Sequence, residues 1–513
     1  MPSASHLTRS ERLLVKYAGV GKVLDLRTGV SARDDTSHGH DWGRERTIRA
    51  GVVARLLLDV GPTTGCSVPS LRLTGARIVG HLDLAGAEIV RALRLEHCYI
   101  EESPDLTDSR LRSIHIVNSH LPGLDAERLR VDGQLNLNQS VVDGHLKLIN
   151  ARISGEVTMN GASLLNPNGW TLFAGGLTVD GALFGRSGFK SLGTIRLTGA
   201  HLNGGCFLDN AVLSTEQADA LVADNLIVEG RMVCEGLTAD GAIRLPGARI
   251  NGQLTWDRAT IRAKKTALDL RRLVAQELIL TFAKPIESIV DLGYAYVAVL
   301  RDDPATWPKD IRLEGFRYES LITVTAEKES VEDPRKYVSD VPGTSTSIMP
   351  ARNRLAWLHR NAEGYRPQPY EQLAAFYRRM GHDDQARIVL LAKQRHRRST
   401  QGYGGKAWAY LLDWSVGYGY RPWLAALWLA TLVAAGTIVF AQWPPQPINP
   451  GKPPGFSSLA YTINILLPFG QFVQSDSWTP VGAERWFAYA LVGAGWLLAT
   501  AVIAGVTRVL NRS

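Results

Sequence analysis

The stretch that decides the fold runs from Leu71 to Ile100 and reads LRLTGARIVGHLDLAGAEIVRALRLEHCYI. Written in rows of eleven, it aligns apolar residues at the first, third and eighth positions and a small residue at the sixth. The aligned sets are Leu71, Leu82 and Leu93; Leu73, Leu84 and Leu95; Ala76, Ala87 and Cys98; and Ile78, Ile89 and Ile100. Such regular recurrence predicts a repeat architecture.

The same register returns further along the chain. Later repeats begin at Leu135, Leu146, Val157, Ile195, Cys206, Ile243 and Leu254. Apolar residues alternate by two within each repeat, as in a strand, and Gly-Ala or Asn-Ala pairs stand where the direction must change. At about 3.3 Å per residue, eleven residues are too few to close around a filled interior, whereas about 22 suffice.

We therefore predict a mainly β chain: a right-handed parallel β-solenoid over residues 69–322. Leu, Ile and Val face inward, with Leu84 and Leu148 fully buried, and polar residues face outward. The repeat lapses near 165–192 and 214–240, where we expect interruptions of the solenoid.

The regions on either side predict helices. Residues 47–58 have helical periodicity within an N-terminal helical cap, residues 1–68, because the first coil of a solenoid needs a cover. A polar linker, 323–350, precedes a neck, 351–412, of two or three short amphipathic helices broken at Gly364 and Gly381. Residues 413–513 form a membrane domain.

Two apolar segments support that domain. Residues 423–443 and 486–506 contain no charged side chain, and at ~1.5 Å per residue each is about 31 Å long, which matches a bilayer core of ~30 Å. Trp423, Trp443 and Trp486 stand at their ends, as interfacial anchors do. We predict two C-terminal transmembrane helices.

The charge of +8 is concentrated beside the first of these segments. By the positive-inside rule both termini are cytoplasmic and residues 444–485 face outward, in a bacterial inner membrane. Each cation near an anionic leaflet contributes about 1 kcal/mol, so lipid headgroups, and not nucleic acid, are the expected partner. The residues expected to meet headgroups are Lys393, Arg395, Arg397 and Arg398. The N-terminus lacks an apolar core followed by a cleavage site and predicts no signal peptide.

The repeats resemble the pentapeptide-repeat and related β-helical proteins, although the spacing is eleven. Between the two apolar helices, residues 456–471 are apolar but short, which predicts a re-entrant segment. This order resembles the two-helix ion-channel module of some bacterial proteins and implies Thr462, Asn464 and Gln471 as lining residues. The chain has LLPFGQ where a potassium filter needs T-V-G-Y-G, so the resemblance implies no potassium filter.

Enzyme motifs are sparse. Residues 19–21 and 402–406 miss the dinucleotide and P-loop patterns. His38 to Asp41 reads as a solvated loop, and His382 to Asp384 as a turn and helix start. Cys98 and Cys206 occupy inward positions, where a thiol acts as a small hydrophobe. No cofactor or metal site is predicted, although the chain resembles proteins, especially actinobacterial ones, labelled membrane-associated oxidoreductase.

Three hypotheses follow. The first is a membrane-anchored interaction scaffold that binds membrane lipids and a cytoplasmic protein. The second is an oligomeric pore or sensing module gated by the solenoid, since Ala426, Ala430 and Ala434 recur at a spacing that lets helices approach. The third is a membrane-associated oxidoreductase with an unrecognised site.

Overall fold

The computed structural model describes residues 7–58, 70–324, 348–399, 422–448, 455–466, 478–482 and 484–510. The side chains of residues 217, 218, 398, 399, 422–426 and 499–510 lie outside that description. The chain divides into two compact units, Met1–Gln372 and Leu373–Ser513. The first unit is a parallel β-solenoid of about eleven turns.

Short strands build the solenoid. In its first half they are β1 (Leu24–Asp25), β2 (Thr47–Arg49), β3 (Ser70–Thr74), β4 (Arg77–Val79), β5 (Glu88–Ile89), β6 (Ala92–Glu96), β7 (Tyr99–Ile100), β8 (Arg110–Leu111), β9 (Ile114–Val117), β10 (His120–Asp125), β11 (Arg130–Val131), β12 (Leu135–Asn136), β13 (Val141–Lys147), β14 (Arg152–Ile153), β15 (Val157–Thr158) and β16 (Ser163–Phe173). In its second half they are β17 (Thr178–Val179), β18 (Ala182–Phe184), β19 (Lys190–Arg196), β20 (His201–Leu202), β21 (Gly205–Phe207), β22 (Val212–Val222), β23 (Ile227–Val228), β24 (Met232–Val233), β25 (Thr238–Arg244), β26 (Arg249–Thr255), β27 (Thr260–Arg262), β28 (Thr266–Asp269), β29 (Val274–Leu280), β30 (Ile289–Asp291), β31 (Tyr296–Asp302), β32 (Ile311–Arg312) and β33 (Arg317–Thr323).

Each coil has four faces, and every strand pairs in parallel with strands of the coils above and below. In the first coil, face 1 holds Leu71, face 2 holds Ile78, face 3 holds Asp83 and face 4 holds Glu88. Leu71 lies beside Leu93, 22 positions further along the chain. The 11-residue repeat is therefore half a coil, as predicted.

Two of the four corners of a coil are similar turns that recur every eleven residues. The residues at the corners between faces 1 and 2 and between faces 3 and 4 have positive φ, a conformation that glycine and asparagine adopt most readily. Gly75, Gly86, His97 and Asp108 begin this series, and Asn150, Asn210 and Asn225 continue it. The Gly-Ala and Asn-Ala pairs of the sequence are these turns.

The interior is mainly apolar, with a few buried hydroxyl groups such as those of Ser140 and Thr171. Leu84 is 2% exposed and Leu148 0%, which confirms both predictions. Cys98 and Cys206 are buried in the same stack, and burial raises the pKa of both thiols to about 12. They act as small apolar side chains, as predicted.

Two helices, α1 (Arg9–Gly19) and α2 (Ala50–Leu58), form the N-terminal end. Glu11 in α1 is buried and its carboxylate lies 2.7 Å from Arg49 Nη2. The helix expected over residues 47–58 begins at Ala50, because Thr47–Arg49 pairs with β4 and extends face 2.

The last coils are covered by a helix of the same unit, α3 (Ala351–His359). Its Arg354 side chain is 1% exposed and its Nη1 lies 2.6 Å from Oδ2 of the buried Asp302 carboxylate. Trp307 Nε1 donates a hydrogen bond to the same carboxylate oxygen. This buried ion pair joins α3 to β31.

The remaining helices are α4 (Pro367–Arg379), α5 (Asp383–Ser399), α6 (Pro422–Gln442), α7 (Ser458–Leu466) and α8 (Glu484–Leu510). Helices α3 to α5 match the predicted short helices of the neck, and α5 begins at Asp383, as the turn at His382 predicts. Two short strands, β34 (Gln446–Pro447) and β35 (Trp478–Thr479), pair in antiparallel fashion. They stand before and after α7 in the sequence. Among the described residues, no helix is both long enough and apolar enough to cross a membrane.

Candidate functional site

The corner between faces 2 and 3 carries the largest insertions, and we call it the insertion corner. In β16, residues 166–169 stand opposite the single residue Gly193 of β19. In β22, residues 215–218 stand opposite the single residue Gly241 of β25. The predicted interruptions are therefore wrong: the strands stack through both segments, and the extra residues project outward.

The short corners between these insertions require glycine. Gly193 has φ +131°, and a Cβ there would lie 2.2 Å from the carbonyl oxygen of Asn166. Gly241 has φ +138°, and its Cβ would lie 2.7 Å from Cγ2 of Thr215. Longer corners therefore flank shorter ones, and a recess results at Gly241.

An exposed aromatic cluster at this corner consists of Leu165, Trp170, Phe173 and Leu192. Trp170 is 43% exposed and Leu192 38%. The rings of Trp170 and Phe173 lie 4.4 Å apart, and the Arg196 guanidinium lies 5.0 Å from the Trp170 ring centre. An exposed apolar and aromatic cluster of this kind is typical of a protein-binding surface.

The recess at Gly241, which we call the charged recess, is a cavity of about 850 Å³. Arg244 lies 3.2 Å from the Asp219 carboxylate and Arg262 lies 3.2 Å from that of Asp240. Two further cations, Lys264 and Lys265, line the opening. Its charged side chains are mixed in sign, which suits recognition of charged groups.

At the wall of the charged recess, Asp269 is buried. Burial raises the pKa of its carboxyl, but hydrogen bonds from the Arg271 side chain and backbone outweigh that effect and hold the pKa below its usual value. Asp269 is therefore ionised at neutral pH and fixed by Arg271, 2.7 Å away.

The polar loop from His38 to Asp41 lies against the solenoid wall. The His40 ring is 6.2 Å from that of Tyr99, which stacks on His120 at 5.3 Å. Gly39 approaches so closely that a Cβ would lie 2.2 Å from Tyr99 Cβ. Within the described ranges, no three His, Cys, Asp or Glu side chains are grouped so as to hold a metal ion.

The C-terminal unit has its own apolar core where α6, α7 and α8 meet. Phe440, Tyr461 and Leu491 are buried there, with Trp478 of β35. A Cβ on Gly436 would lie 2.3 Å from Thr462 Cγ2, and one on Gly495 would lie 2.0 Å from the carbonyl oxygen of Leu466. Glycine therefore lets α7 approach both longer helices.

The predicted lining residues have different positions. Thr462 is fully buried in this core, and its hydroxyl donates a hydrogen bond to the Ser458 carbonyl oxygen. Asn464 is half-buried on α7. Gln471 lies outside the described residues, so the predicted set is only partly located.

The predicted headgroup residues lie in the last turns of α5. Arg395 and Arg397 are exposed and Lys393 is half-buried. Arg398 belongs to the helix, but its side chain lies outside the described part. Contact with lipid stays a prediction for all four residues.

Comparison with known proteins finds no relative. No protein-family model matches the chain, and no curated protein and no solved structure matches it. Function is therefore argued from the geometry alone.

Sequence reasoning did not single out the residues of the insertion corner. Trp170 and Leu192 lie in the first segment where the repeat is interrupted, and Asp219 lies in the second. That lapse is the signal that could have found them, because extra residues in a stacked coil can only project outward.

Proposed function

We propose that this protein is a membrane-tethered interaction scaffold. The C-terminal unit embeds in a bilayer, and the solenoid presents a rigid surface to a cytoplasmic partner protein. The observation that carries the tether is the exposure of large apolar side chains on the outside of the C-terminal unit.

Those side chains belong to α6, α7 and α8 and to Trp443, the residue that follows α6. They include Leu427, Ile438, Trp443, Leu459, Trp486, Tyr489, Trp496 and Leu497, which are 47% to 75% exposed. The core between the helices is apolar as well. Helices that are apolar on their buried and their outward sides are typical of a lipid environment.

The scaffold part of the proposal is supported by the insertion corner. Trp170 at 43% exposure and Val212 and Leu192 at 38% provide apolar anchors on a stacked sheet that holds them rigidly. Rigid aromatic anchors with a polar surround are what protein interfaces use for most of their binding energy.

A flotation experiment tests the tether. The full chain, purified in mild detergent, is reconstituted with phosphatidylcholine–phosphatidylglycerol vesicles and floated on a density gradient after carbonate washing. We expect the parent to float with the lipid, and a variant carrying Trp486→Glu, Tyr489→Glu and Trp496→Glu to be depleted from it. The control Met380→Glu alters an exposed apolar residue directly after α4 (48% exposed) and should float. A parent that stays at the bottom of the gradient would overturn the tether.

Orientation is tested separately. With Cys66 replaced by serine and the other three cysteines buried, a new cysteine at Pro453 should react with an impermeant maleimide from the outside of intact cells. A new cysteine at Ser399 should not, because the basic residues before α6 favour the cytoplasmic side. The reverse pattern would contradict a cytoplasmic solenoid.

The second candidate function is an oligomeric pore, favoured by the short helix α7 inserted between α6 and α8. A single chain with two long helices and one short one cannot enclose a wet channel, so several copies are required. Ion release from the same vesicles, measured for the parent and for Asn464→Leu, tests it. Flux in the parent that the variant loses would favour the pore over a plain anchor.

A further inference from the structure

Face 4 of the solenoid carries a column of arginines on adjacent coils. Arg130 lies in register with Arg110 on one side and with Arg152 on the other. All three are exposed, and adjacent strands of a sheet are about 4.8 Å apart. Arg112, two positions after Arg110 and therefore on the same side of the strand, is exposed as well.

The column is only partly neutralised. Arg110 lies 3.1 Å from the Asp132 carboxylate and 3.9 Å from that of Glu88. Within the described part of the chain, Arg112, Arg130 and Arg152 form no ion pair. Like charges directly opposite each other destabilise a sheet, so this arrangement opposes folding.

Like charges also stand in register between Arg72 and Arg94 and between Asp83 and Asp105, but many other outward cations are neutralised. Seven of them pair with a carboxylate one coil away, and the pairs are Arg77 with Glu101, Arg128 with Asp108, Arg186 with Asp209, Arg258 with Glu235, Arg262 with Asp240, Arg301 with Glu277 and Arg312 with Asp291. The arginine column extends over three coils and lacks such a pair at Arg130 and Arg152. A bound anion would neutralise it.

We propose that the arginine column binds an acidic α-helical segment of a partner protein, laid along the solenoid axis. An α-helix presents side chains at i, i+4 and i+7 at a rise of about 5.4 Å per turn, close to the ~4.8 Å between coils. Over three coils the two spacings differ by about 1 Å, which long arginine side chains accommodate. An arginine guanidinium can also donate two parallel hydrogen bonds to one carboxylate.

The neighbouring outward residues favour a peptide over nucleic acid. From Glu88 to Ser154, face 4 presents Glu88, Val90, Arg110, Arg112, Arg130, Asp132, Arg152 and Ser154. None of these is aromatic, whereas binding of single-stranded nucleic acid uses aromatic side chains on which bases stack.

This inference rests on the scaffold part of the proposed function and not on the tether. It names the chemistry of the partner, an acidic helix, and a second contact surface besides the insertion corner. Binding is therefore measured in detergent micelles, without vesicles, so that failure of the acidic-helix binding and failure of the tether are separate results.

The probe is a fluorescent helical peptide with glutamates at i, i+4 and i+7, titrated with the full chain at low salt. The comparison peptide has the same composition, with the glutamates moved around the helix. The test variant is Arg130→Gln with Arg152→Gln, which removes like-charge repulsion and should not unfold the sheet. The matched control is Arg249→Gln with Arg317→Gln. These two exposed arginines lie on face 4 outside the arginine column, and their in-register neighbours are Ile227, Val274 and Tyr296.

We expect the test variant to weaken peptide binding about tenfold, as the loss of two exposed ion pairs implies, and the control to bind like the parent. Affinity should fall with added salt. Equal binding by the parent and the test variant, or equal binding of the two peptides, would overturn the proposal. Stronger binding of a 12-nucleotide single strand that the test variant loses would overturn it in favour of nucleic acid.

Discussion

At the scale of single residues, polar side chains stabilise the ends of the solenoid and apolar ones its interior. Leu84 and Leu148 are buried as the repeat predicts, whereas Glu11 is a buried charge that no repeat signals. Its carboxylate accepts hydrogen bonds from the backbone N–H of Thr8 and of Arg49 and from the Arg49 guanidinium. Glu11 thus helps to cap the N-terminus of α1 and joins the helix to β2.

The Glu11 contacts predict acid sensitivity of the N-terminal end. Burial raises the pKa of Glu11, but the hydrogen bonds from Arg49 and Thr8 outweigh it and lower the pKa to about 2. The stabilisation is therefore complete above an unfolded pKa of about 4.5 and is lost as pH falls toward 2. The protection of the α1 amides from hydrogen exchange, taken relative to the intrinsic rate at each pH, should fall over that range.

The variant Glu11→Gln removes the charge. We expect it to lower the stability of the N-terminal end by on the order of 2 kcal/mol, as for hydrogen bonds to a charged group. It should also abolish the pH dependence of the exchange protection of α1. The control Glu88→Gln removes an exposed carboxylate, 80% accessible, and should leave that dependence intact. An unchanged pH profile in Glu11→Gln would contradict the assignment.

At the scale of elements, glycine allows the closest approaches. The corner between faces 4 and 1 is a column of glycines, each stacked on the backbone of the next, comprising Gly133, Gly155, Gly181, Gly204, Gly230 and Gly252. The amide N–H of Gly181 donates to the carbonyl oxygen of Gly155 at 3.0 Å. Coils can approach to hydrogen-bonding distance at this corner because no side chain intervenes.

We expect Gly181→Ala to destabilise the solenoid. A Cβ there would lie 2.6 Å from the carbonyl oxygen of Gly155, and overpacking of this kind typically costs about 1–3 kcal/mol. Gly175→Ala is the matched control, because its Cβ would find its nearest atom at 3.7 Å. Chemical denaturation followed by circular dichroism measures both, and equal midpoints would show that the corner relaxes.

The helices of the C-terminal unit allow a parallel test. Gly495→Leu should displace α7, since even a Cβ would lie 2.0 Å from the Leu466 carbonyl oxygen, whereas Gly493 has no atom within 4 Å of its Cβ position. Thermal unfolding in detergent should show a lower midpoint for Gly495→Leu than for Gly493→Leu. Identical midpoints would mean that α7 does not pack against α8 at this position.

At the scale of the whole molecule, a solenoid must cover the open edges of its end coils. The first coils are covered by α1 and α2, and the last by α3, held through the Asp302–Arg354 pair and by the Arg360 guanidinium, which donates to the Trp307 carbonyl oxygen. Stacked coils repeat the same pairing, so an uncovered end would pair with another chain.

The variant Asp302→Asn tests this cover. It leaves the Arg354 charge buried without its counter-ion, which typically costs about 3–5 kcal/mol, so α3 should detach and light scattering should detect self-association. Glu287→Gln removes the exposed partner of Lys309, 81% accessible, and should leave the protein unassociated. A monodisperse Asp302→Asn protein would show that α3 is held by other contacts.

The sequence by itself determined the local structure. The 11-residue period, the inward Leu and Ile positions and the turns at Gly-Ala and Asn-Ala predict a stacked parallel solenoid, and helical periodicity predicts α2 to α5. These features are local, because the alternation of apolar residues and the conformation of a turn depend on a few adjacent residues.

Only the tertiary structure decided which residues lie side by side on different coils. Arg110 and Arg130 are 20 positions apart, whereas Arg130 and Arg152 are 22 apart, yet all three align. Coil length varies because residues are added or omitted at the corners while the inward rows stay in contact. A fixed period therefore misses both the arginine column and the insertion corner, and the packing of inward side chains sets their register.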